Sequence, residues 1–306
     1  MKPVKNFKDL SERQITASAV SIAGGADEAV LSCVQTLLQA GIIGHVIVSG
    51  PVQEIRKRLK NINADRNLFD IRDSDTSRAC ADAAVAAVKE GEAEILMKGH
   101  IESEIFLKSI LDKESGIRLS RLLSNITVFE MDSYHKLLGI TDNAIVPDPD
   151  FDDKKAIIEN TLPLYSALGV EPVKVGLVAA TEKITDALPA TIDAENLKAA
   201  CGNRQLKGFL VDGPFGYDAC ISKEAAENKN LADSPVAGDP DLILFHNLET
   251  ANAVGKAIKF HGGAKSGGLL LGASVPVTFN SRSDRAERRI NSLLLACATG
   301  SSAAHL

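Results

Sequence analysis

The sequence reads Gly272-Ala-Ser-Val-Pro-Val-Thr-Phe-Asn-Ser281-Arg282-Ser-Asp284-Arg-Ala-Glu287 near its end, and this stretch indicates the fold more clearly than any other. Residues 275–279 are apolar and rich in β-branched side chains, which predicts a short strand. From Asp284 onward, apolar residues recur at positions 290, 293, 294 and 297, the spacing of an amphipathic helix. The stretch therefore predicts a strand that is followed directly by a helix.

Ser281 and Arg282 lie in the predicted turn between this strand and this helix. Open α/β sheets bind their ligands at the carboxyl ends of the strands, and the positive end of a helix dipole favours an anion at the same place. An arginine side chain there can bind phosphate through two N–H groups. The turn therefore predicts an anion site. However, Ser281-Arg-Ser-Asp284 also fits the capping pattern S-x-x-D, which is purely structural, and spacing alone leaves both interpretations open.

Apolar strand patterns alternate with helical patterns along the chain. We predict strands at residues 19–23, 45–50, 93–98, 126–130, 173–180, 208–212, 242–246 and 268–272, and helices at residues 27–38, 77–89, 102–111, 154–168, 193–201, 218–228 and 249–261. Such alternation is typical of a parallel sheet that is covered by helices. A segment rich in proline and aspartate at residues 141–153 indicates a boundary. This predicts a first domain of residues 1–144 plus 279–306 and a second domain of residues 145–278.

The composition excludes several classes of function. The net charge of −6 and the aromatic content of 4% argue against a nucleic-acid partner. The sequence has no apolar signal core at its start and no run that could span a bilayer, so we expect no membrane partner. The five cysteines are scattered and include no C-x-x-C pair, which indicates a cytoplasmic location and no zinc site. The histidines are isolated in sequence, and we predict no metal site.

Three further polar positions lie at or just after the ends of predicted strands. They are Lys98, Asp212 in Asp-Gly-Pro, and Asn247 in His246-Asn247. Each position suits a ligand contact, and each also suits a strand end or a turn. The residue pattern by itself leaves both roles open.

Several segments carry a family resemblance in the same order along the chain. They are Arg121-Leu-Leu-Ser-Asn-Ile-Thr-Val-Phe-Glu, Glu182-Lys-Ile-Thr-Asp-Ala-Leu-Pro-Ala-Thr-Ile-Asp-Ala, Leu210-Val-Asp-Gly-Pro-Phe-Gly-Tyr-Asp-Ala-Cys-Ile-Ser, Ser234-Pro-Val-Ala-Gly and Val277-Thr-Phe-Asn-Ser-Arg-Ser-Asp284. From about residue 93 to the end, the sequence resembles the phosphate acetyl/butyryltransferases. The resemblance implies an α/β fold of two parallel-sheet αβα domains around a cleft, similar to isocitrate and isopropylmalate dehydrogenases. It also implies a homodimer, which we expect to form largely through residues after Asp153.

The resemblance also implies the activity. The family exchanges coenzyme A and phosphate on a short-chain acyl group such as acetyl or butyryl, so we expect acyl-CoA and phosphate as substrates and no tightly bound cofactor. The family's Ser-Arg pair corresponds to Ser281 and Arg282. We expect direct transfer without an acyl-enzyme. Asp284 is the nearest carboxylate that could act as a base, and Glu287 is the alternative.

The expected substrate-binding residues are Lys98, Ser103, Asp212, Asn247 and Asn252. This chain departs from its relatives in two places. It has Glu102 before Ser103 where relatives have a small neutral polar residue, and it has His246-Asn247-Leu-Glu-Thr-Ala-Asn252 where relatives read P-D-L-x-A-G-N. Extra negative charge beside a phosphate site is unfavourable unless it is paired or turned away. These departures leave open an alternative function, that of a non-catalytic acyl-CoA sensor.

Overall fold

A computed structural model describes residues 2–13, 15–281 and 284–303 of the chain. The chain forms two compact units. The first unit contains the described residues of Leu10–Ser120 and Gly267–Leu306, and the second contains those of Met1–Asp9 and Arg121–Ser266. Arg282, a predicted site residue, lies outside the described residues together with Ser283.

Helices and strands alternate through most of the chain. The helices are α1 (Phe7–Ser11), α2 (Glu28–Gln39), α3 (Val52–Asn61), α4 (Ser77–Lys89), α5 (Ser103–Ile110), α6 (Phe151–Glu159), α7 (Leu162–Leu168), α8 (Pro189–Gly202), α9 (Tyr217–Ile221), α10 (Lys223–Asn228), α11 (Leu248–Phe260) and α12 (Ala286–Ala303). The strands are β1 (Ala17–Ala23), β2 (Ile43–Gly50), β3 (Phe69–Asp73), β4 (Ile95–Lys98), β5 (Ser124–Glu130), β6 (Leu138–Thr141), β7 (Val173–Val178), β8 (Phe209–Phe215), β9 (Leu242–Leu244), β10 (Lys265–Leu271) and β11 (Val277–Thr278). Among the described helices, none is long and apolar enough to cross a membrane.

The first unit is built on strands in the order β3-β2-β1-β4-β11-β10. The pairs from β3 to β11 are parallel, and β11 runs antiparallel to β10 with Val277 opposite Leu270. Central positions such as Val20 on β1 and Leu96 on β4 are completely buried. Such continuously apolar strands are typical of a parallel sheet with helices on both faces.

The second unit is built on strands in the order β5-β6-β9-β7-β8. Its pairs are parallel except β5 with β6, where Ile126 lies opposite Thr141. The buried phenol of Tyr165 donates to the carbonyl of Asp241 at 2.7 Å, so its only polar atom has a partner. The predicted α/β class is confirmed in both units.

The unit boundaries differ from the predicted domain boundaries at 144/145 and 278/279. Strands β5 and β6 pair with each other, and β6 pairs with β9, so residues 121–144 belong to the second unit. The proline- and aspartate-rich segment lies within that unit, where Asp150 caps α6 by accepting from the N–H of Asp153 at 2.8 Å. The prolines and aspartates of this segment therefore belong to a connection between two elements of the second unit, and the boundary between the units lies elsewhere.

The sequence placed most elements correctly but missed some breaks. The predicted helix over 154–168 is two helices, and Pro163 occupies the first turn of the second one, where its missing N–H does no harm. The predicted helix over 218–228 is also divided, because the Ser222 side chain caps a new helix by accepting from the N–H of Ala225. Helices α1 and α3 and strands β3 and β6 were not predicted.

A cluster of charges surrounds Asp239 in the second unit. Its carboxylate lies 2.5 Å from Nζ of Lys174, 3.0 Å from Nζ of Lys136 and 2.9 Å from Nε2 of His135. Burial alone would raise the pKa of Asp239, but the hydrogen bonds and charges of Lys174 and Lys136 outweigh it and hold that pKa at about 2. The carboxylate therefore contributes to stability in its ionised form.

We expect Asp239→Asn to lower the free energy of unfolding by about 1 kcal/mol at pH 7, a small value because solvent screens this partly exposed pair. The folded-state pKa of Asp239 lies below the value of about 3.9 for an unfolded aspartate. The stabilisation is therefore complete above about pH 4 and is lost as the pH falls toward 2. Urea unfolding of both proteins at pH 7 and pH 3 measures the difference.

Asp75→Asn is the control, since Asp75 is exposed and lies outside this cluster. A loss in Asp239→Asn that is as large at pH 3 as at pH 7 would contradict the assignment to ionisation.

Candidate active site

The carboxyl ends of β1 and β4 in the first unit approach each other very closely. A Cβ atom at Gly99 would lie 2.3 Å from the carbonyl oxygen of Gly24, so only glycine fits after β4. The N–H of Gly99 donates to Ala23 O at 2.9 Å, and the N–H of His100 donates to Gly24 O at 2.8 Å. The backbone after Lys98 is therefore fixed against the end of β1.

A cavity of about 100 Å³ lies at these strand ends. It is lined by Asp27, Val30, Gly99, His100, Asn280 and Arg289. These residues come from the start of α2, the end of β4, the segment after β11 and the first turns of α12. The cavity thus lies where parallel α/β sheets bind their ligands, as the sequence predicted for this strand-to-helix turn.

Ser281 and Asp284 are tied to each other. The N–H of Ser281 donates to Oδ2 of Asp284 at 3.0 Å, and the N–H of Asp284 donates to the carbonyl of Ser281 at 3.1 Å. The other carboxylate oxygen of Asp284 lies 3.7 Å from Nη1 of Arg288, and its side chain is only 9% exposed. These contacts give Asp284 the structural role that its S-x-x-D spacing allowed. Its role as a base, with Glu287 as the alternative, stays a prediction.

Arg289 is a buried arginine that sequence reasoning did not single out. It is 6% exposed, and its Nη2 donates to the carbonyl of Ser281 at 3.2 Å. Asn280, which precedes Ser281, is 9% exposed, and its Nδ2 donates to Oγ of Ser292 at 3.1 Å. The backbone of Ser281 is therefore held from both sides, while its side chain lies at an exposed position.

Positive charge is concentrated near Ser281, although the chain as a whole is acidic. Lys98 is 3% exposed, and its Nζ lies 6.0 Å from the centroid of the Phe279 ring. Arg288 and Arg289 follow on α12. A buried lysine and two arginines at one strand edge favour an anionic ligand there.

Ser103 and Glu102 are placed at the start of α5. Glu102 is the N-cap residue but makes no side-chain capping hydrogen bond, and both residues are exposed. Neither lines the cavity. The negative charge of Glu102 is thus exposed to solvent, which removes the sequence-based objection to an anion in the cavity. The binding role of Ser103 stays a prediction.

Asp212 lies on β8 in the second unit and is 6% exposed. Its carboxylate accepts from Lys198 Nζ at 2.6 Å and from Ser234 Oγ at 2.5 Å. The structure therefore joins two of the family-like segments, those beginning at Leu210 and at Ser234, through one carboxylate. A substrate-binding role for Asp212 stays a prediction.

A second contact joins a further segment, the one beginning at Glu182, to the segment beginning at Leu210. Glu182 accepts from the N–H of Gly216 at 3.0 Å and from Lys229 Nζ at 2.8 Å. Burial alone would raise the pKa of Glu182, but these hydrogen bonds outweigh it and lower that pKa. The carboxylate is ionised and fixes the loop after β7 to the end of β8.

Asn247 and Asn252 both lie at the start of α11. Oδ1 of Asn247 accepts from the N–H of Thr250 at 3.0 Å, so Asn247 is the helix cap. Nδ2 of Asn252 donates to the carbonyl of Asn143 at 2.9 Å. Both side chains have structural partners, and their predicted role in substrate binding stays a prediction.

His246, the other departure from the family pattern, lies in a charge cluster around the buried Lys154. Its Nδ1 lies 3.2 Å from Oδ2 of Asp193, and the same oxygen lies 2.6 Å from Nζ of Lys154, which is 3% exposed. Asp193 compensates for the buried lysine, and His246 packs beside this pair. The residue at this position therefore has structural contacts in this chain.

Comparison with known proteins gives consistent results. Residues 76–297 match the family model described as "Phosphate acetyl/butaryl transferase". The chain is 35% identical over 294 residues to a phosphate butyryltransferase of Clostridium beijerinckii, which covers 95% of this chain and 97% of that protein. It is 32% identical over 296 residues to a phosphate acetyltransferase of Rhizobium meliloti, which covers 96% of this chain and 93% of that protein.

A solved structure agrees over nearly the whole chain. A branched-chain phosphotransacylase from Enterococcus faecalis V583 aligns with a TM-score of 0.81 and 28% identity, covering 92% of this chain and 99% of that one. The fold and the matched residues define an α/β protein of the acyltransferase class. The chain belongs to the phosphate acetyl/butyryltransferase family, and the resemblance read from the sequence is confirmed.

We expect Asp284→Ala to lower the free energy of unfolding by about 1–2 kcal/mol, because the Ser281 N–H loses its acceptor and Arg288 loses its partner. Asp284→Asn should cost less than about 0.5 kcal/mol, because an amide oxygen can still accept from Ser281. Urea unfolding at pH 7 compares the two variants, with Glu287→Ala as an exposed control in the same turn. Equal losses in the Ala and Asn variants would show that the charge of Asp284, and not its hydrogen bond, stabilises the turn.

Proposed function

We propose that this protein is a phosphate acyltransferase that exchanges coenzyme A and phosphate on a short-chain acyl group, such as butyryl or acetyl. The proposal rests on one observation in particular. The Ser281-Arg282 pair of the family motif follows directly on Asn280, which lines the cavity at the ends of β1 and β4. The family membership of the chain supports the same activity.

The proposed reaction is direct transfer in a ternary complex. Arg282, together with the positive end of α12, binds the phosphate or the acyl phosphate. Ser281 donates a hydrogen bond to the carbonyl oxygen of the acyl group as negative charge develops there. The fixed backbone of Ser281 supports this role, because a donor that is already oriented loses little entropy when the substrate arrives. Coenzyme A thioester and phosphate enter as substrates, and we propose no tightly bound cofactor.

The cytoplasm is the proposed location. The cysteines at positions 33, 80, 201, 220 and 297 are free thiols. Burial raises the pKa of Cys220 and of Cys297 to about 12 in each case, which makes both poor nucleophiles. Free, unreactive thiols suit a reducing compartment.

We expect the purified protein to release CoA from butyryl-CoA or acetyl-CoA only when phosphate is present, and to act poorly on long acyl chains. Arg282→Ala should raise the KM for phosphate and lower kcat by about two to three orders of magnitude. Arg282→Lys should recover only part of the activity, because an ammonium group cannot form the two parallel hydrogen bonds of a guanidinium. A panel of acyl-CoA chain lengths with thiol detection measures all three proteins.

Arg66→Ala is the matched control, because Arg66 is an exposed arginine of the same unit and lies outside the cavity. Near-normal kinetics in Arg282→Ala would contradict a phosphate-binding role and would leave the Ser281–Asp284 segment with a structural role only. A wild-type protein that binds acyl-CoA without phosphate-dependent release would be the non-catalytic sensor instead.

We also propose a homodimer that is formed largely by residues after Asp153. Exposed apolar side chains in the second unit support this, since Ile184 is 50% exposed and Leu188 and Leu210 are each 36% exposed. Light scattering should give about twice the chain mass of 32.4 kDa at micromolar concentration. Leu210→Lys should shift the protein toward the monomer, and a wild type that is monomeric at that concentration would contradict the proposal.

A further inference from the structure

The cavity in the first unit contains a pair of side chains that the sequence did not bring together. Nδ1 of His100 lies 3.4 Å from Oδ2 of Asp27. The two residues lie 73 positions apart, at the end of β4 and at the start of α2, and both line the cavity of about 100 Å³. A role for this pair would deepen the proposed acyl transfer, and it rests on that proposed function.

The backbone fixes where His100 can be. Gly99 lies very close to Gly24, and the N–H of His100 donates to the carbonyl of Gly24. These contacts fix the backbone of His100 at the strand end. Its side chain is 56% exposed, so the ring is accessible to a ligand that enters the cavity. A histidine in such a place can exchange protons with a bound substrate.

Asp27 has two separate roles through its two oxygens. Oδ1 caps α2 by accepting from the N–H of Val30 at 3.0 Å, and Oδ2 faces Nδ1 of His100. A carboxylate beside Nδ1 favours the tautomer that carries its hydrogen there, which leaves the lone pair on Nε2. Among the residues that the structure describes, Nε2 of His100 has no hydrogen-bond partner.

The opposite wall of the cavity also indicates a ligand. Asn280 is 9% exposed, and its Nδ2 donates to Ser292 and Asp284. Its Oδ1 is buried and has no partner within the described part of the chain. Leaving a buried acceptor unpaired is unfavourable, so a bound molecule with an O–H or N–H group would stabilise this wall.

We propose that His100 carries the proton in acyl transfer and that Asp27 is its positioning residue. In the direction of acyl phosphate synthesis, a phosphate oxygen forms a bond to the acyl carbon and the C–S bond of the thioester breaks. Nε2 accepts the hydroxyl proton of HPO₄²⁻ and passes it to the departing sulfur, which gives acyl phosphate dianion and CoA thiol. Atoms and charge balance without any other reactant, and the reverse direction returns the proton from thiol to phosphate.

His100 suits this task better than the carboxylate that the sequence suggested. The Asp284 side chain is 9% exposed, and it already accepts from the Ser281 N–H and lies beside Arg288. A proton carrier must reach the substrate and must be able to hold the proton briefly. The more exposed ring of His100 is accessible to a substrate in the cavity, and its Nε2 has the lone pair that the step requires.

The first test is His100→Gln in the full-length protein. We expect kcat to fall about 10²- to 10⁴-fold in both directions, the usual contribution of a positioned acid–base group. The KM values for acyl-CoA and phosphate should change less than about threefold, because only proton transfer is lost. Imidazole added to His100→Ala should restore part of the lost rate. His45→Gln, a histidine on β2 outside the cavity, is the control and should keep wild-type kinetics.

The second test separates positioning from stability. Asparagine caps a helix about as well as aspartate, so Asp27→Asn should leave Tm nearly unchanged. Because the charge that orients His100 is lost, kcat should fall at least about tenfold. Asp65→Asn removes the charge of another capping aspartate in the same unit and should change neither value. Combining Asp27→Asn with His100→Gln should cost little more than His100→Gln alone, because the two residues act together.

The results distinguish this inference from the function on which it rests. If the wild type releases CoA with phosphate but His100→Gln keeps kcat within threefold, or loses activity only through KM, His100 is not the proton carrier and the acyltransferase assignment stands. A normal kcat in Asp27→Asn would overturn the positioning role of Asp27. If the wild type shows no phosphate-dependent release, the proposed function is wrong and this inference falls with it.

Discussion

The geometry of the candidate site depends on one buried hydroxyl group, that of Ser292 on α12. It accepts from the N–H of Gly268 on β10 at 2.9 Å and from Nδ2 of Asn280 at 3.1 Å, and it donates to the carbonyl of Arg288 at 2.9 Å. Ser292 is 0% exposed, so water cannot replace these bonds. A lost acceptor at such a place costs about 1–3 kcal/mol for each donor left unpaired. The end of β11 is therefore held against α12. Because Asn280 is fixed there, the backbone of the next residue, Ser281, is fixed as well. The same contact requires β10 to pass close to the helix, where a Cβ at Gly267 would lie 2.9 Å from the backbone of Asn291.

The sequence predicted helices and strands correctly where burial of one face gives the apolar residues a regular spacing. Helix α4 was predicted with its observed bounds, because its alanines and valines bury one face and Thr76 caps its start. Strand β3 was missed, because its sequence Phe-Asp-Ile-Arg-Asp pairs with β2 on one side only and keeps polar residues at the edge of the sheet. Strand β6 was missed, because it is four residues long and is defined by its neighbours β5 and β9. Pairing between distant strands is not a local property, so the sequence could not place the unit boundary.

The sequence predicted those parts of the candidate site whose residues are adjacent along the chain. The Ser281–Asp284 segment was found because its residues are adjacent and lie between a strand and a helix, and the structure confirms that arrangement on either side of it. The contact of His100 with Asp27 and that of Asp212 with Ser234 both join residues from different elements. Sequence spacing carries no signal for such contacts, and a lone histidine reads as an ordinary structural residue. A possible signal was Lys98-Gly99-His100 itself, since glycine after a buried strand indicates a close backbone approach.

The choice of aspartate at position 27 is informative because capping alone does not require it. Thr76, Ser222 and Asn247 cap α4, α10 and α11 with neutral side chains, whereas Asp150 caps α6 with a carboxylate. The helix dipole adds about 0.3–1 kcal/mol in favour of a charged cap, and up to about 2 kcal/mol where the cap is partly buried. A carboxylate beside a cavity that is proposed to bind phosphate would repel this ligand, so a neutral cap would favour binding more if capping were the only task. The second oxygen of Asp27 faces His100, and only a charged carboxylate both fixes the tautomer of an imidazole and stabilises it while it holds a proton. In the proposed mechanism, the charge of Asp27 serves His100, and the lysine and arginines around the same strand ends offset it.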